Sequence, residues 1–267
     1  MGGLRSGSGA DHDPGTMVAL DPLLRLRLLI RSLAIQGSFN YRTMQGAGIG
    51  FALIPVLARL HRGHGASLAE SLRRHTRFFN GHPYLSTVAI AAVARMECER
   101  QSAEEIERFK GAIVGPLGSI GDRLVWARWR PLCSLLALLL FLAGTPWWVA
   151  CAAFLVLYNV VHFGLRVWGL HLGWREGHEV GRALMGSPLR RLPDRLTIPL
   201  AAVAGALLPL LAVGLGGTSG AGSFSVIGIA LVLGVVGAWR PAVAGRLAVF
   251  VPLIASLVVV ALGSTVW

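Results

Sequence analysis

The 44 positions from 196 to 239, between Arg195 and Arg240, hold no Asp, Glu, Lys or Arg. A membrane-crossing helix needs about 20 apolar residues, so this run has room for two crossings. A soluble core has no use for so long an uninterrupted stretch. A second uncharged run, Leu132 to Leu165, is broken at Gly144-Thr145-Pro146, and a third follows Arg246 to Trp267. At about 20 residues per crossing, the three runs give about five full or partial spans. The whole chain agrees: 54% of its residues are hydrophobic, its mean hydropathy is +0.62, and 14% are charged, against roughly 25% in soluble domains. The predicted fold class is an all-α polytopic membrane protein with transmembrane helices, re-entrant or broken helices, and no soluble globular domain.

Two apolar stretches, Gly46 to Ala58 and Tyr84 to Ala94, are too short to span and are expected to be re-entrant or buried. The formal charge of +12 comes from 24 arginines and Lys110 against 13 acids. The cations gather between apolar runs, at Arg59, Arg62, Arg73, Arg74 and Arg77 and at Arg175, Arg182, Arg190, Arg191 and Arg195. That is the positive-inside pattern of cytoplasmic loops, with anionic lipids as the expected partner. No basic face is interleaved with aromatic stacking residues, so no nucleic acid is expected. Cys98, Cys133 and Cys151 lack CxxC spacing and are expected to be small buried hydrophobes.

The first 19 residues lack the apolar core of a secretory signal and are expected to be a disordered cytoplasmic tail. Residues 20–177 form the next predicted region, with an interfacial helix, re-entrant segments and basic loops, and residues 178–267 form C-terminal transmembrane helices. Asp21-Pro22 is a helix N-cap followed by proline at the first helical position. Leu23 to Ile35 then alternates leucines with Arg25, Arg27 and Arg31, as expected of an interfacial amphipathic helix. Gln36 to Gln45 is a polar segment ahead of GAGIGFALIP. The Gly46, Gly48 and Gly50 spacing lacks the strand and the third glycine of a dinucleotide loop, and close helix packing accounts for it better. His61 to Arg77 is expected to be a basic loop. Most of Arg95 to Lys110 is expected to be a solvated helical face with Glu104 and Arg108 paired at helical spacing, and GAIVGPLGSIGD a Gly/Pro-rich loop closed by Asp122.

Three segments in order, RSLAIQGSFNYRTMQGAGIGFALIP (31–55), FFNGHPYLSTVAIAAVARME (78–97) and FKGAIVGPLGSIGDRLVWARWRP (109–131), resemble the IID family of mannose/fructose/sorbose phosphotransferase-system (PTS) transporters. A looser fourth match is NVVHFGLRVWGLHLGWREG (159–177). The chain departs from the family pattern at Arg42-Thr43, where an acid followed by arginine is usual, and at Arg123, where a small residue is common. The resemblance implies a bacterial cytoplasmic (inner) membrane complex with a IIC subunit, a hetero-oligomer fed by IIA and IIB phosphoryl carriers, that imports a hexose and phosphorylates it. It places the phosphohistidines on IIA and IIB, leaving this chain a non-catalytic subunit with no phosphorylated residue.

A sugar site at membrane depth needs amides and other polar groups held on broken helices. Gln36, Asn40 and Gln45 flank the first re-entrant candidate, and Asn80, His82, Lys110 and Asp122 surround the other two Gly/Pro turns. Each has a plain structural alternative: the amides can satisfy loop backbone, and Asp122 can cap a helix. No cofactor is expected, and no HExxH or Cys/His cluster supports a metal. Two other functions stay open: a sugar-sensing or regulatory membrane subunit, and a membrane-embedded enzyme. The second has little material, because between Leu132 and Leu165 only Cys133, Cys151, Tyr158 and His162 titrate.

Overall fold

The computed structural model describes residues 21–216, which form helices α1 (Pro22–Leu33), α2 (Gly46–Leu60), α3 (Gly65–His75), α4 (Ser86–Cys98), α5 (Ala103–Gly121), α6 (Arg130–Leu142), α7 (Trp147–Glu176), α8 (Val180–Gly186) and α9 (Leu192–Gly216). An eight-residue π-helical segment, Asp122–Trp129, joins α5 to α6. Among the described residues the β-structure is limited to the isolated bridges Asn40 to Met44 and Met44 to Phe79. The expected tail and the last two crossings lie outside the described residues.

The N-terminal cap forms as expected, with the Leu23 amide donating to the Asp21 carboxylate at 3.2 Å and Pro22 opening the helix. Leu24, Leu28 and Ser32 of α1 face inward while Leu23, Leu26, Ile30 and Leu33 stay exposed, so one helix presents two apolar faces.

At the centre lies α4. Eleven of its 13 residues are buried, as expected of a helix apolar all round. At a rise of 1.5 Å per residue it is about 20 Å long, short of the roughly 30 Å of a bilayer core. Its small side chains let α7 come close. A Cβ added at Gly169 would lie 2.3 Å from Thr87 Oγ1, and one at Gly173 would lie 2.2 Å from the Val88 carbonyl oxygen. These glycines, four residues apart, make a backbone-to-backbone seam of the kind small residues permit.

Two continuous helical stretches, Ala103–Leu142 and Trp147–Gly186, are long and apolar enough to cross a membrane. The break at 144–146 appears where the sequence places it. Gly144 at φ +88° donates its amide to the Phe141 carbonyl and Thr145 donates to Leu140, closing α6 in a Schellman turn before Pro146 opens α7. Much of the apolar surface of this hairpin faces outward, including Phe141, Trp147, Trp148, Leu155, Val156, Val160 and Phe163. Arg123 pairs with Asp194 at 3.0 Å and Arg128 bonds Thr197 at 3.1 Å. These near-constant offsets of 71 and 69 residues set α9 parallel to the π segment and α6.

Several expectations are corrected. GAIVGPLGSIGD is helix, not loop: α5 runs through Pro116, and Asp122 sits inside a continuing helical stretch instead of closing a turn. The π segment eases the passage of Pro131, whose ring and missing N–H disturb the preceding turn, by widening the helix, with the Arg130 amide bonding Val125. The basic stretch after His61 is largely α3, and His75 is fully buried at its end. Glu97 and Lys110 are buried, not solvated. Among the described residues no ion pair joins Glu104 to Arg108, and it is Glu107 that pairs, with Arg77. Cys133 is buried, but Cys98 is half-buried and Cys151 exposed.

Candidate functional site

The loop before α2 is fixed by backbone first. Met44 adopts φ +51°, a left-handed conformation that a non-glycine side chain takes only under constraint. Its amide donates to the Asn40 carbonyl at 2.8 Å, and the next amide, Gln45, donates to the Phe79 carbonyl at 2.8 Å. This ties the loop before α2 to the loop before α4. Gly46 and Gly48 keep the tie short: an added Cβ would lie 2.0 Å from the Arg77 carbonyl oxygen and 2.1 Å from that of Ile35.

Gln45 is 3% exposed, and its amide bridges the two loops. Nε2 donates to the Gly81 carbonyl at 2.7 Å and Oε1 accepts from Ser86 Oγ at 3.1 Å. His82, one residue after Gly81 and 1% exposed, accepts the Tyr84 amide on Nδ1 at 3.3 Å. That leaves the proton on Nε2, which has no partner among the described residues. Burial, with Arg166 and His162 nearby, pushes the His82 pKa down to about 4, so the ring is neutral at physiological pH. Gly121 gives the imidazole room, since a Cβ there would fall 2.2 Å from His82 Cγ.

Around His82 stands a group of rings. Tyr84 and Trp126 each lie with centroids 5.1 Å from the imidazole, Tyr84 stacks on His162 at 4.0 Å, and the Tyr84 and Tyr158 hydroxyls share a hydrogen bond. Tyr158, His162 and Arg166 follow one another at four-residue spacing on α7, a polar stripe along an apolar helix. Arg166, 2% exposed, donates from Nε to His162 Nε2 at 2.8 Å and from Nη1 to the Ser32 carbonyl at 2.6 Å, tying α7 to the end of α1. Its guanidinium also lies 5.2 Å from the Tyr84 ring.

Of the seven residues singled out by sequence, the structure brings Gln45 and His82 together in the interior. Gln36, Asn40, Asn80 and Asp122 are exposed. Asn40 spends its amide within its own loop: Nδ2 donates to Ser38 O at 3.1 Å and Thr43 Oγ1 at 2.9 Å, and Oδ1 accepts the amides of Arg42 at 3.0 Å and Thr43 at 2.9 Å. Lys110 points to the C-terminal end of α3, donating to the carbonyl of Arg74 at 3.2 Å and of His75 at 3.5 Å, where a cation complements the helix dipole. Sequence reasoning missed Tyr84, Ser86, Trp126 and Arg166. The legible signal was the Tyr158, His162, Arg166 spacing, a polar period of four inside an otherwise apolar helix.

The chain as a whole is similar to known proteins. The model of the PTS system mannose/fructose/sorbose family IID component matches residues 23–213. The chain is 27% identical over 186 residues to the PTS system mannose-specific EIID component of Escherichia coli (strain K12), covering 68% of this chain and 65% of that one. It is 31% identical over 186 residues to the fructose permease IID component of Bacillus subtilis (strain 168), covering 68% and 66%. The chain thus spans just under two thirds of the length of these relatives. Among solved structures it is similar to one in a cryo-EM complex of the mannose transporter ManYZ with microcin E492, with TM-score 0.56, 25% identity, and 71% and 70% of the two chains covered. It is also similar to a structure described as a membrane protein, with TM-score 0.63, 27% identity and 71% of each chain covered. With the family match running from the first described helix into the last, the chain belongs to the mannose/fructose/sorbose family of PTS IID components.

Proposed function

We propose that this chain is a membrane-embedded IID subunit that forms, with a IIC subunit, the path for a hexose taken up and phosphorylated by IIA and IIB carriers. The observation that carries the reading is the family match over residues 23–213, which takes in both loops around His82 and the polar stripe of α7. The outward apolar surface of the α6–α7 hairpin supports a multi-pass position in the bacterial cytoplasmic membrane, with α1 at the interface and α4 as the short, protein-enclosed helix. Phosphorylation makes uptake one-way, since a sugar that gains nearly two negative charges cannot recross an apolar layer.

His82 is assigned the sugar contact. A buried N–H without an acceptor costs about 1–3 kcal/mol, and a ligand hydroxyl would relieve it. Gln45 holds the His82 loop in place through Gly81, and the Tyr84 and Trp126 rings offer apolar faces to a sugar ring. Access requires one of those rings to move, because His82 is closed off in this conformation. Asn40 is assigned to loop organisation and Lys110 to the α3 terminus; Gln36, Asn80 and Asp122 stand at the surface, where a IIC subunit can cover them.

The test is uptake of a labelled hexose into vesicles carrying the phosphoryl carriers and the IIC subunit, with and without this chain. Accumulation of sugar phosphate only when both membrane subunits are present is the expected result. Equal accumulation without this chain overturns the reading.

A further inference from the structure

We infer that the cavity between the π segment and the start of α9 binds the phosphate headgroup of an anionic phospholipid, with an acyl chain along the adjoining groove of α5. The cavity holds about 460 Å³ and presents Arg123, Arg190 and Arg191 with Ser187 and one carboxylate, Asp194. Three guanidiniums against one carboxylate leave an excess of positive charge, and the carboxylate is already paired with Arg123 at 3.0 Å. The planar guanidinium fork suits phosphate oxygens. The start of α9 adds the positive end of a 25-residue helix.

A second cavity of about 350 Å³ continues from the first, sharing Arg123, Met185 and Arg190. It runs along Pro116, Ile120 and Pro193, with Gly115 keeping its floor low. A free anion has no use for that groove, whereas an amphiphile fills both parts.

Depth favours the same occupant. Arg128 and Arg130 follow Arg123 on one helical stretch, while Arg191 directly precedes the parallel helix and Arg195 lies in its first turn. Both helices turn apolar beyond this level, at Leu132 and Leu196. A band of arginines at the foot of two parallel apolar helices lies where phospholipid headgroups lie. The inference stands apart from the sugar site, since His82 is not among the residues lining either cavity.

The full chain in maltoside detergent is titrated with dioctanoyl phosphatidylglycerol, with dioctanoyl phosphatidylcholine and inorganic phosphate as comparisons, and binding is read by microscale thermophoresis. Phosphatidylglycerol is expected to bind at least about thirty-fold tighter than phosphatidylcholine. The double change Arg190→Gln, Arg191→Gln is expected to weaken it roughly thirty-fold and to leave phosphatidylcholine unchanged. Asp194→Asn, which removes the opposing charge, is expected to tighten it. Equal affinity for the two lipids, or wild-type affinity in the double variant, overturns the inference. Displacement of the lipid by an equal concentration of inorganic phosphate does so too, by showing a free-anion site. Should the double variant fail to fold, unchanged or weaker binding by Asp194→Asn decides against the inference.

Discussion

His75 and Glu97, 22 residues apart in sequence, meet at 2.7 Å beneath the C-terminal end of α3, and Arg74 donates to the same Glu97 oxygen at 2.7 Å. His75 is fully buried and its Nδ1 has no partner among the described residues, which suits a neutral ring donating from Nε2. Lys110 closes the cluster from α5 through the Arg74 and His75 carbonyls.

Glu97→Gln leaves the Arg74 guanidinium facing a neutral amide. With both side chains nearly buried, breaking this pair is expected to cost about 3 kcal/mol. Thermal unfolding of the chain in detergent, followed by circular dichroism, checks it. A shift indistinguishable from that of the exposed control Glu70→Gln would contradict the role given to the cluster.

The same cluster makes stability depend on pH. Burial holds the His75 pKa below its ordinary 6.5, reinforced by Lys110 and Arg74 and only partly opposed by Glu97. Burial would raise the Glu97 carboxyl, but the hydrogen bonds from His75 and Arg74 outweigh it, and its pKa lies below 4.5. In both groups the unfolded chain takes up protons first. The contribution of these two groups is therefore full above about pH 6.5 and lost as pH falls, first through His75 and then, in the carboxylate range, through Glu97. His75→Gln is expected to flatten the upper part of that decline; an unaltered profile would place its source elsewhere.

The α4–α7 seam predicts a sharp asymmetry between glycines of one helix. Gly173→Val puts carbon against the Val88 carbonyl and is expected to destabilise by about 3 kcal/mol or more, since backbone must move. Gly164 faces open space, and Gly164→Ala is expected to be neutral or stabilising by up to about 1 kcal/mol. Unfolding midpoints of the two variants side by side decide it.

His82→Ala and Asn40→Ala should fail in opposite ways. Loss of the His82 donor is expected to weaken sugar binding by about 5-fold to 150-fold in the complexes that form. Loss of the Asn40 amide opens its loop, lowering stability by about 1–2 kcal/mol while surviving complexes keep their affinity. Sugar titration and yield of each purified complex separate the two, and a reversed pattern would move the site to the Asn40 loop.

The sequence announced what depends on spacing along one segment. The Asp21 cap, the helix break at Gly144-Thr145-Pro146 and the embedded character of Tyr84 to Ala94 all follow from local chemistry. Hydropathy could not show that Pro116 would be carried inside a helix, because glycine and proline punctuate loops and bent helices alike. Nor could it foresee that Glu97 and Lys110 would be buried. Their neutralising partners, Arg74 and the carbonyl end of α3, come from a different stretch of chain, and charge alone signals solvent. In the site, His82 and Gln45 were legible as polar residues beside Gly-rich and Gly/Pro-rich segments, but their coupling through Gly81 and Ser86 arises only when two loops meet.

The turn at Ala143–Pro146 bears on how such a chain is made. For a chain inserted as proposed, the part of the α6–α7 pair that has to pass through the bilayer is this short uncharged connection, and both helices can enter as one hairpin. The opposite orientation would require translocating Arg123, Arg128 and Arg130 on one arm and Arg166 and Arg175 on the other. Each arginine costs about 2.5–3.5 kcal/mol at the centre of a membrane helix. On the proposed reading, these arginines therefore favour the orientation in which the uncharged connection, and not the charged ends of the hairpin, is carried across.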